Sequence, residues 1–268
     1  MTRFGRPRRH LRRAASTNDT ARDLALAGAP SGTVVTADEQ TAGRGRHRRR
    51  WAAPPGKALL YSAILRPLGR EHRLLPLAVP LAVCEAVESV APLECRVKWP
   101  NDVWVCNAPA SPPANPRNRG DSGDGDTAGP RGRKVAGVLL EARPPEWAVI
   151  GIGLNVAIEP DEFPGELRWP ATSVGHGATS ATALAAVNES LSRWANADPA
   201  EVASAFRARD ALLGREVRWA GAGGEDESSR VGRAEGIDDD GNLVVAVVGG
   251  GRLALGAGEV QLALEAPG

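Results

Sequence analysis

The sequence predicts an α+β protein, in which a mixed-sheet domain carries the chemistry and a small all-β domain follows it. Three observations lead there. Strand-like and helix-like segments alternate from Ser16 to Leu213. Beyond Leu213 only short β segments remain, broken by glycine and aspartate turns. The 268 residues are enough for one large domain with its own core and one small one.

The elements follow in order. Residues 1–15 are basic and irregular, too few for a domain, and read as a flexible arm. The polar cluster Ser16-Thr17-Asn18 precedes Thr20 to Ala27, with Gly28 and Pro30 behind it: an N-cap, a short helix and a stop. Val34-Val35 and Leu59 to Leu65 read as strands, separated by a long glycine- and arginine-rich loop from Gly43 to Gly56. Leu74 to Val90 is apolar and reads as a helix whose start is blurred by Pro76 and Pro80.

Arg96 to Trp99 and Val103 to Val105 are strands around the turn Pro100-Asn101-Asp102. From Asn107 to Arg133 there is no leucine, isoleucine, valine or aromatic residue, so this stretch reads as a disordered surface insertion. Val135 to Glu141 and Ala148 to Val156 return to strand composition, and Thr182 to Trp194 and Pro199 to Leu213 carry helical patterns. Glu216 to Trp219, Val231 to Ile237, Leu243 to Val248, Arg252 to Leu255 and Val260 to Leu264 complete a small β-barrel. The expected division is an arm at 1–15, a main domain at 16–212 with its insertion at 107–133, and a β domain at 213–268.

Composition narrows the function. The net charge is only +1, yet twelve of the first fifty residues are arginine against four acidic ones, which suggests an anionic partner near that end. Cys84, Cys95 and Cys106 form no C-x-x-C pair, so neither a disulfide framework nor a cysteine zinc site is expected, and a reducing cytoplasm fits. None of the four histidines is paired at metal-ligand spacing, so no resident metal is expected; any metal should arrive with a phosphate ligand. No apolar run approaches the roughly eighteen residues that a membrane span requires.

The strongest local signal is Gly43-Arg44-Gly45-Arg46 followed by Arg48, Arg49, Arg50 and Trp51. Glycines let the backbone approach a ligand, and guanidinium forks match phosphate and carboxylate oxygens. The stretch is neither a P-loop nor a dinucleotide fingerprint, because the required spacing and flanking elements are missing. By itself it could equally be a solvated basic loop or a nucleic-acid patch.

Its company decides. Ser16-Thr17-Asn18, Glu39 to Arg46, Lys98-Trp99-Pro100-Asn101-Asp102, Lys134 to Glu141 and Gly151 to Val156 occur in that order, each beside a strand or helix end. Together these blocks resemble the biotin protein ligase family, from about Ser16 to the C-terminus. The resemblance implies the biotin/lipoyl ligase-like mixed-sheet domain with an SH3-like C-terminal module. It implies ATP and biotin as substrates, Mg²⁺ with the nucleotide, biotinyl-5′-AMP as intermediate, and the biotin carboxyl carrier domain of an acyl-CoA carboxylase as partner.

Roles carried over by position are also implications of that resemblance. Ser16, Thr17, Asn18 and Gln40 would bind the ureido head of biotin, whose donors and acceptors need partners once buried. Arg44, Gly45 and Arg46 would lie over carboxylate and phosphate in a closing loop. Lys134 would face the biotin carboxylate and the α-phosphate, with Gly137 allowing close approach. Arg44 and Lys134 are the catalytic candidates. Arg44, Arg46, Trp51, Asn101, Asp102 and Asn155 would hold the nucleotide, with Asp102 near the Mg²⁺. For Trp51 a pocket wall and a core position both remain open; Trp99 reads as core. Gly151 and Gly153 indicate backbone crowding at a site or a bulge.

The sequence departs from the family where Arg48 replaces a common glycine, which implies a stiffer, more basic loop. The 107–133 insertion replaces a short hairpin, and only fifteen residues precede the first block, so no helix-turn-helix repressor domain is expected. Two other readings stay open: lipoate or octanoate transfer, and nucleic-acid binding through the basic arm and the barrel.

Overall fold

The computed structural model describes residues 1–106, 132–165, 167, 169–219, 230–247, 249–257 and 262–263. Seven strands form the main sheet: β1 (Arg8–Ala14), β2 (Val34–Gln40), β3 (Ala58–Leu65), β4 (Cys95–Lys98), β5 (Asp102–Val105), β6 (Arg133–Arg143) and β7 (Trp147–Asn155). Their order is β1-β2-β3-β7-β6-β5-β4, with β1 parallel to β2 and every other pair antiparallel. The sheet is therefore mixed, as expected.

Strand β3, Ala-Leu-Leu-Tyr-Ser-Ala-Ile-Leu, is buried along its whole length because both faces of the sheet are covered. On one face Leu59, Tyr61, Ala63 and Leu65 join the principal core, built against α2 (Leu75–Val90) and α3 (Ser180–Trp194). On the other, Ile64 joins Val35, Trp147 and Val149 beneath Ala21 and Ala25 of α1 (Thr17–Leu26). Helix α2 runs through both prolines. Pro76 sits in the first turn, where its missing N–H has no intrahelical partner to lose. Helix α4 (Pro199–Arg209) is shorter than expected and stops at Asp210, whose extended backbone bridges to Val97 of β4.

The C-terminal strands β8 (Glu216–Trp219), β9 (Arg230–Ile237), β10 (Leu243–Val247), β11 (Arg252–Leu255) and β12 (Leu262–Ala263) form an antiparallel sheet in the order β11-β10-β9-β8-β12. Val217, Trp219, Leu243 and Val245 belong to the same buried cluster as the main core. The Trp99 indole, fully buried as expected of a core residue, donates to the Gly241 carbonyl at 3.0 Å and ties the two sheets together.

One expectation is overturned. The N-terminal segment is not a flexible arm: residues 8–14 are strand β1, and the residues before it are anchored. Phe4 is buried in the principal core and its N–H donates to Ser192 Oγ at 2.9 Å. Thr2 exchanges two hydrogen bonds with the Asn196 side chain, each 2.9 Å. Leu11 packs beneath α1. An arginine-rich edge strand shows no apolar alternation, which is why its composition resembles that of a tail. Of the expected insertion, residues 107–131 lie outside the described residues, and Arg133 already opens β6.

Two predictions follow from this packing. Phe4→Ala should lower the unfolding free energy by about 3 kcal/mol in urea titrations, whereas a flexible arm would give no change. Asp210 is buried; Oδ1 accepts from the Leu212 N–H at 2.8 Å, while Oδ2 has no partner among the described residues. Burial pushes its carboxyl up to about 6 from an ordinary 3.8. Because the folded pKa is raised, the native state holds the proton more tightly than the unfolded chain. Stability on this account is fully present below pH 4, falls as pH rises towards 6, and stays lower above it. Asp210→Asn lacks this titration, so its stability relative to the parent should improve by roughly 2–3 kcal/mol between pH 4 and 7. A pH-independent difference would refute the assignment.

Candidate active site

The N-terminus of α1, the loop from Gly43 to Trp51, the β4–β5 turn and the middles of β6 and β7 surround one cavity of about 150 Å³. Its character changes from end to end.

At the α1 end lie Ser16, Thr17 and Asn18, each no more than 5% exposed. Ser16 is the N-cap in extended conformation, but its side chain makes no capping bond and lines the cavity instead. Gln40 Oε1 accepts from the Thr17 N–H at 2.8 Å and from Thr17 Oγ1 at 3.0 Å. The Ser62 hydroxyl, from the middle of β3, lies 2.8 Å from Thr17 Oγ1 and 2.6 Å from Asn18 Oδ1. Asn18 Nδ2 donates to Glu141 Oε1 at 3.0 Å. The helix start is thus held by side chains of β2, β3 and β6, which leaves a rigid, polar pocket end.

The middle of the cavity is floored by glycine. Gly137 of β6 and Gly153 of β7 are paired in register, and the Trp51 indole lies on them. A Cβ at Gly153 would fall 2.3 Å from Trp51 Cε2, and one at Gly137 would fall 3.0 Å from its Cζ3. A Cβ at Gly151 would meet Asn18 Oδ1 at 2.2 Å. The glycines therefore mark backbone crowding at a site, and the register across β7 shows no bulge. Trp51 Nε1 is buried without a partner among the described residues, and the residue both lines the cavity and packs against the small cluster of Ala58, Leu60 and Ile158.

The rest of the lining is cationic. Lys134 Nζ lies 2.6 Å from Asp102 Oδ1 and 5.5 Å from the centre of a Trp51 ring. Arg46 donates to Asn101 Oδ1 at 3.2 Å and to the Ala257 carbonyl of the C-terminal sheet. Burial pulls the Arg46 guanidinium below its ordinary range, against the opposing pull of Asp102. Arg44 lies nearer the α1 end, reaching Asp19 Oδ1 at 2.6 Å and Glu141 Oε1 at 3.5 Å. The loop carrying these arginines closes on itself through Gly45 N–H to Arg49 O at 2.7 Å and Trp51 N–H to Gly43 O at 3.0 Å. Its one left-handed residue is His47, at φ 53°, the neighbour of Arg48. In all, six lysines and arginines line the cavity against the single carboxylate of Asp102.

Of the residues singled out from sequence, Ser16, Thr17, Asn18, Gln40, Arg44, Gly45, Arg46, Trp51, Asn101, Asp102, Lys134 and Gly137 all line this cavity. Asn155 does not. Its side chain donates to the Thr172 carbonyl at 3.0 Å and its own carbonyl accepts from Val174, so it fastens the segment after β7 instead. Sequence reasoning missed Ser62, Glu141, Lys98 and Trp169. Ser62 was visible as the one hydroxyl-bearing aliphatic position in an otherwise apolar strand. Lys98 and Glu141 stand in the Lys98–Asp102 and Lys134–Glu141 segments with no local sign of a role, and nothing local marks Trp169.

Fold and cavity together define a protein ligase of the biotin/lipoate class. The sequence profile of the biotin/lipoate A/B protein ligase family matches residues 11–155, and that of the biotin protein ligase C-terminal domain matches residues 212–262. The biotin–acetyl-CoA-carboxylase ligase of Mycobacterium tuberculosis is 34% identical over 266 residues, covering 94% of this chain and 88% of that one. The corresponding Paracoccus denitrificans ligase is 34% identical over 255 residues, covering 88% and 92%. The solved biotin protein ligase of Aquifex aeolicus in complex with biotin and ATP superposes with a TM-score of 0.74 at 25% identity, covering 97% of this chain and all of that one. The chain belongs to the biotin protein ligase family. Among the described residues no helix is long and apolar enough to cross a membrane.

Proposed function

We propose that this chain condenses biotin with ATP to biotinyl-5′-AMP and pyrophosphate, then transfers the biotinyl group to a lysine of a biotin carboxyl carrier domain of an acyl-CoA carboxylase. The observation that carries the reading is the lining of the cavity, with buried neutral hydrogen-bonding groups at the α1 end and six cations against one carboxylate over the cavity as a whole. A ligand with a cyclic urea at one end and carboxylate and phosphate at the other matches both.

In the first step a carboxylate oxygen of biotin attacks the α-phosphorus, and the bond to the pyrophosphate oxygen breaks. Two anions must meet, so catalysis rests on charge neutralisation and positioning. Arg44 and Lys134 serve the carboxylate and α-phosphate, and Gly45 and Gly137 let the ligand approach the backbone. Arg46, Trp51, Asn101 and Asp102 serve the nucleotide. Lys134 leaves Asp102 for the arriving phosphate, and the freed carboxylate suits a Mg²⁺ held mainly by phosphate oxygens and water, since that ion takes few protein ligands. In the second step the uncharged lysine amine attacks the acyl carbon, AMP leaves, and the amine proton passes to solvent. Asn155, committed to Thr172, takes no part in nucleotide binding on this reading. Three free thiols and dependence on ATP fit a cytoplasmic site of action.

The test is pyrophosphate release with MgATP and biotin, lipoate, octanoate or no acid. Release with biotin alone is expected; release with the lipoyl-type acids would move the activity to that sister chemistry. Lys134→Ala and Arg44→Ala should each reduce biotin-dependent release by about 100-fold or more, with the melting temperature little changed. Full activity in either variant would overturn its role.

A further inference from the structure

Strand β6 carries Lys134 near its start, Gly137 and Leu139 along the cavity, and Glu141 towards its end. Glu141 does not itself line the cavity, yet three side chains converge on it. Asn18 Nδ2 donates to Oε1 at 3.0 Å, Arg44 Nη1 of the ligand loop lies 3.5 Å from the same oxygen, and Arg22 Nη1 of α1 donates to Oε2 at 3.2 Å. Asp19 closes the ring, with Oδ1 2.6 Å from Arg44 Nη1 and 2.9 Å from Arg22 Nη2. Two carboxylates thus alternate with two guanidinium groups.

The Arg44 side chain is 43% exposed, and among the described residues Asp19 and Glu141 are the only side chains that hold it. Both contacts use Nη1. A guanidinium carries five N–H donors in a planar fork, so its Nε and Nη2 edge stays available for two oxygens of a guest. Arg44 lines the cavity while so bound, which means that the carboxylates hold it at the cavity wall and not away from it. Glu141 acts at the polar end too. A carboxylate only accepts, so it draws Nδ2 of Asn18 towards itself and leaves Oδ1 to accept from the Ser62 hydroxyl at 2.6 Å.

On the reading proposed above, we infer that Asp19 and Glu141 are positioning residues for the first step. They set Arg44 at the cavity wall before the anions arrive, and Glu141 anchors Asn18 and the ligand loop on one carboxylate. Neither touches the reacting atoms.

Neutralising both carboxylates separates position from charge. By Coulomb's law alone, Asp19→Asn combined with Glu141→Gln makes the surroundings of the cavity more positive and should favour its anionic guests. Acting by position, the pair should do the opposite: the double variant should lower kcat for biotin-dependent pyrophosphate release about tenfold, the loss expected for two partly exposed ion pairs. Its KM for biotin should stay within about twofold of the parent, because a glutamine oxygen still accepts from Asn18. Glu141→Ala removes that acceptor and should raise the biotin KM about tenfold. In an Arg44→Ala background the double substitution should change release by less than about twofold, since the residue it acts through is gone. An unchanged or higher kcat in the double variant would overturn the inference. So would a tenfold loss in the Arg44→Ala background, the mark of a merely structural role. A parent chain that releases no pyrophosphate with biotin would overturn the underlying reading itself, a failure visible before any variant is made.

Discussion

Six cationic side chains face a single carboxylate across one cavity, and the surrounding structure is arranged to tolerate that imbalance. Two like charges 4 Å apart repel by about 1 kcal/mol in water and about 4 kcal/mol near a protein surface, so they converge only where other groups hold them. Here the holders are specific. Arg44 leans on Asp19 and Glu141, Lys134 on Asp102, Arg46 on Asn101 and a carbonyl of the C-terminal sheet, and Lys98 lies beside the adjoining Trp104 and Trp169 rings. The polar end is built differently: Gln40, Ser62 and Glu141 fix the first turn of α1 before any ligand arrives, so orientation there costs little at binding.

The scaffold makes this possible through β6 and β7. Paired glycines at 137 and 153 let a tryptophan lie on the sheet, and Lys98, Asp102 and Lys134 stand on the adjacent strands β4, β5 and β6. The C-terminal sheet takes part as well. Trp99 binds Gly241 just beside the Lys98 to Asp102 turn, and Arg46 reaches Ala257, so the ligand loop and the β4–β5 turn are both braced by the second domain.

How much was legible in the sequence depended on whether the signal was local. Strands with apolar runs, such as β3 and β7, and the long helix α2 were readable from composition alone. Strand β1 was not, because an edge strand of arginines takes its order from β2 and from Phe4 in the core, both distant in sequence. Helix α1 begins three residues before Thr20, since Thr17 and Asn18, which read as part of a cap, form its first turn. The arginine loop and Lys134 stood out as chemistry-bearing groups, but which end of the cavity each serves follows from strand order, which no short motif contains. Ser62, Lys98 and Trp169 gain meaning only through partners brought together by the sheet. Asn155 shows the converse: a polar residue in a ligand-rich block whose bonds go to the backbone of the next segment.

The central claim is that the cavity's positive charge is matched to an anionic end of a ligand whose other end is neutral and polar. Calorimetric titration of the protein with biotin and with its uncharged carboxamide tests this directly, since the two differ only where the cations lie. The account predicts that the carboxamide binds at least about tenfold more weakly, the loss expected for one charge-assisted hydrogen bond. Equal affinity for the two would contradict it, and would mean that the arginines and lysines face something other than the acid.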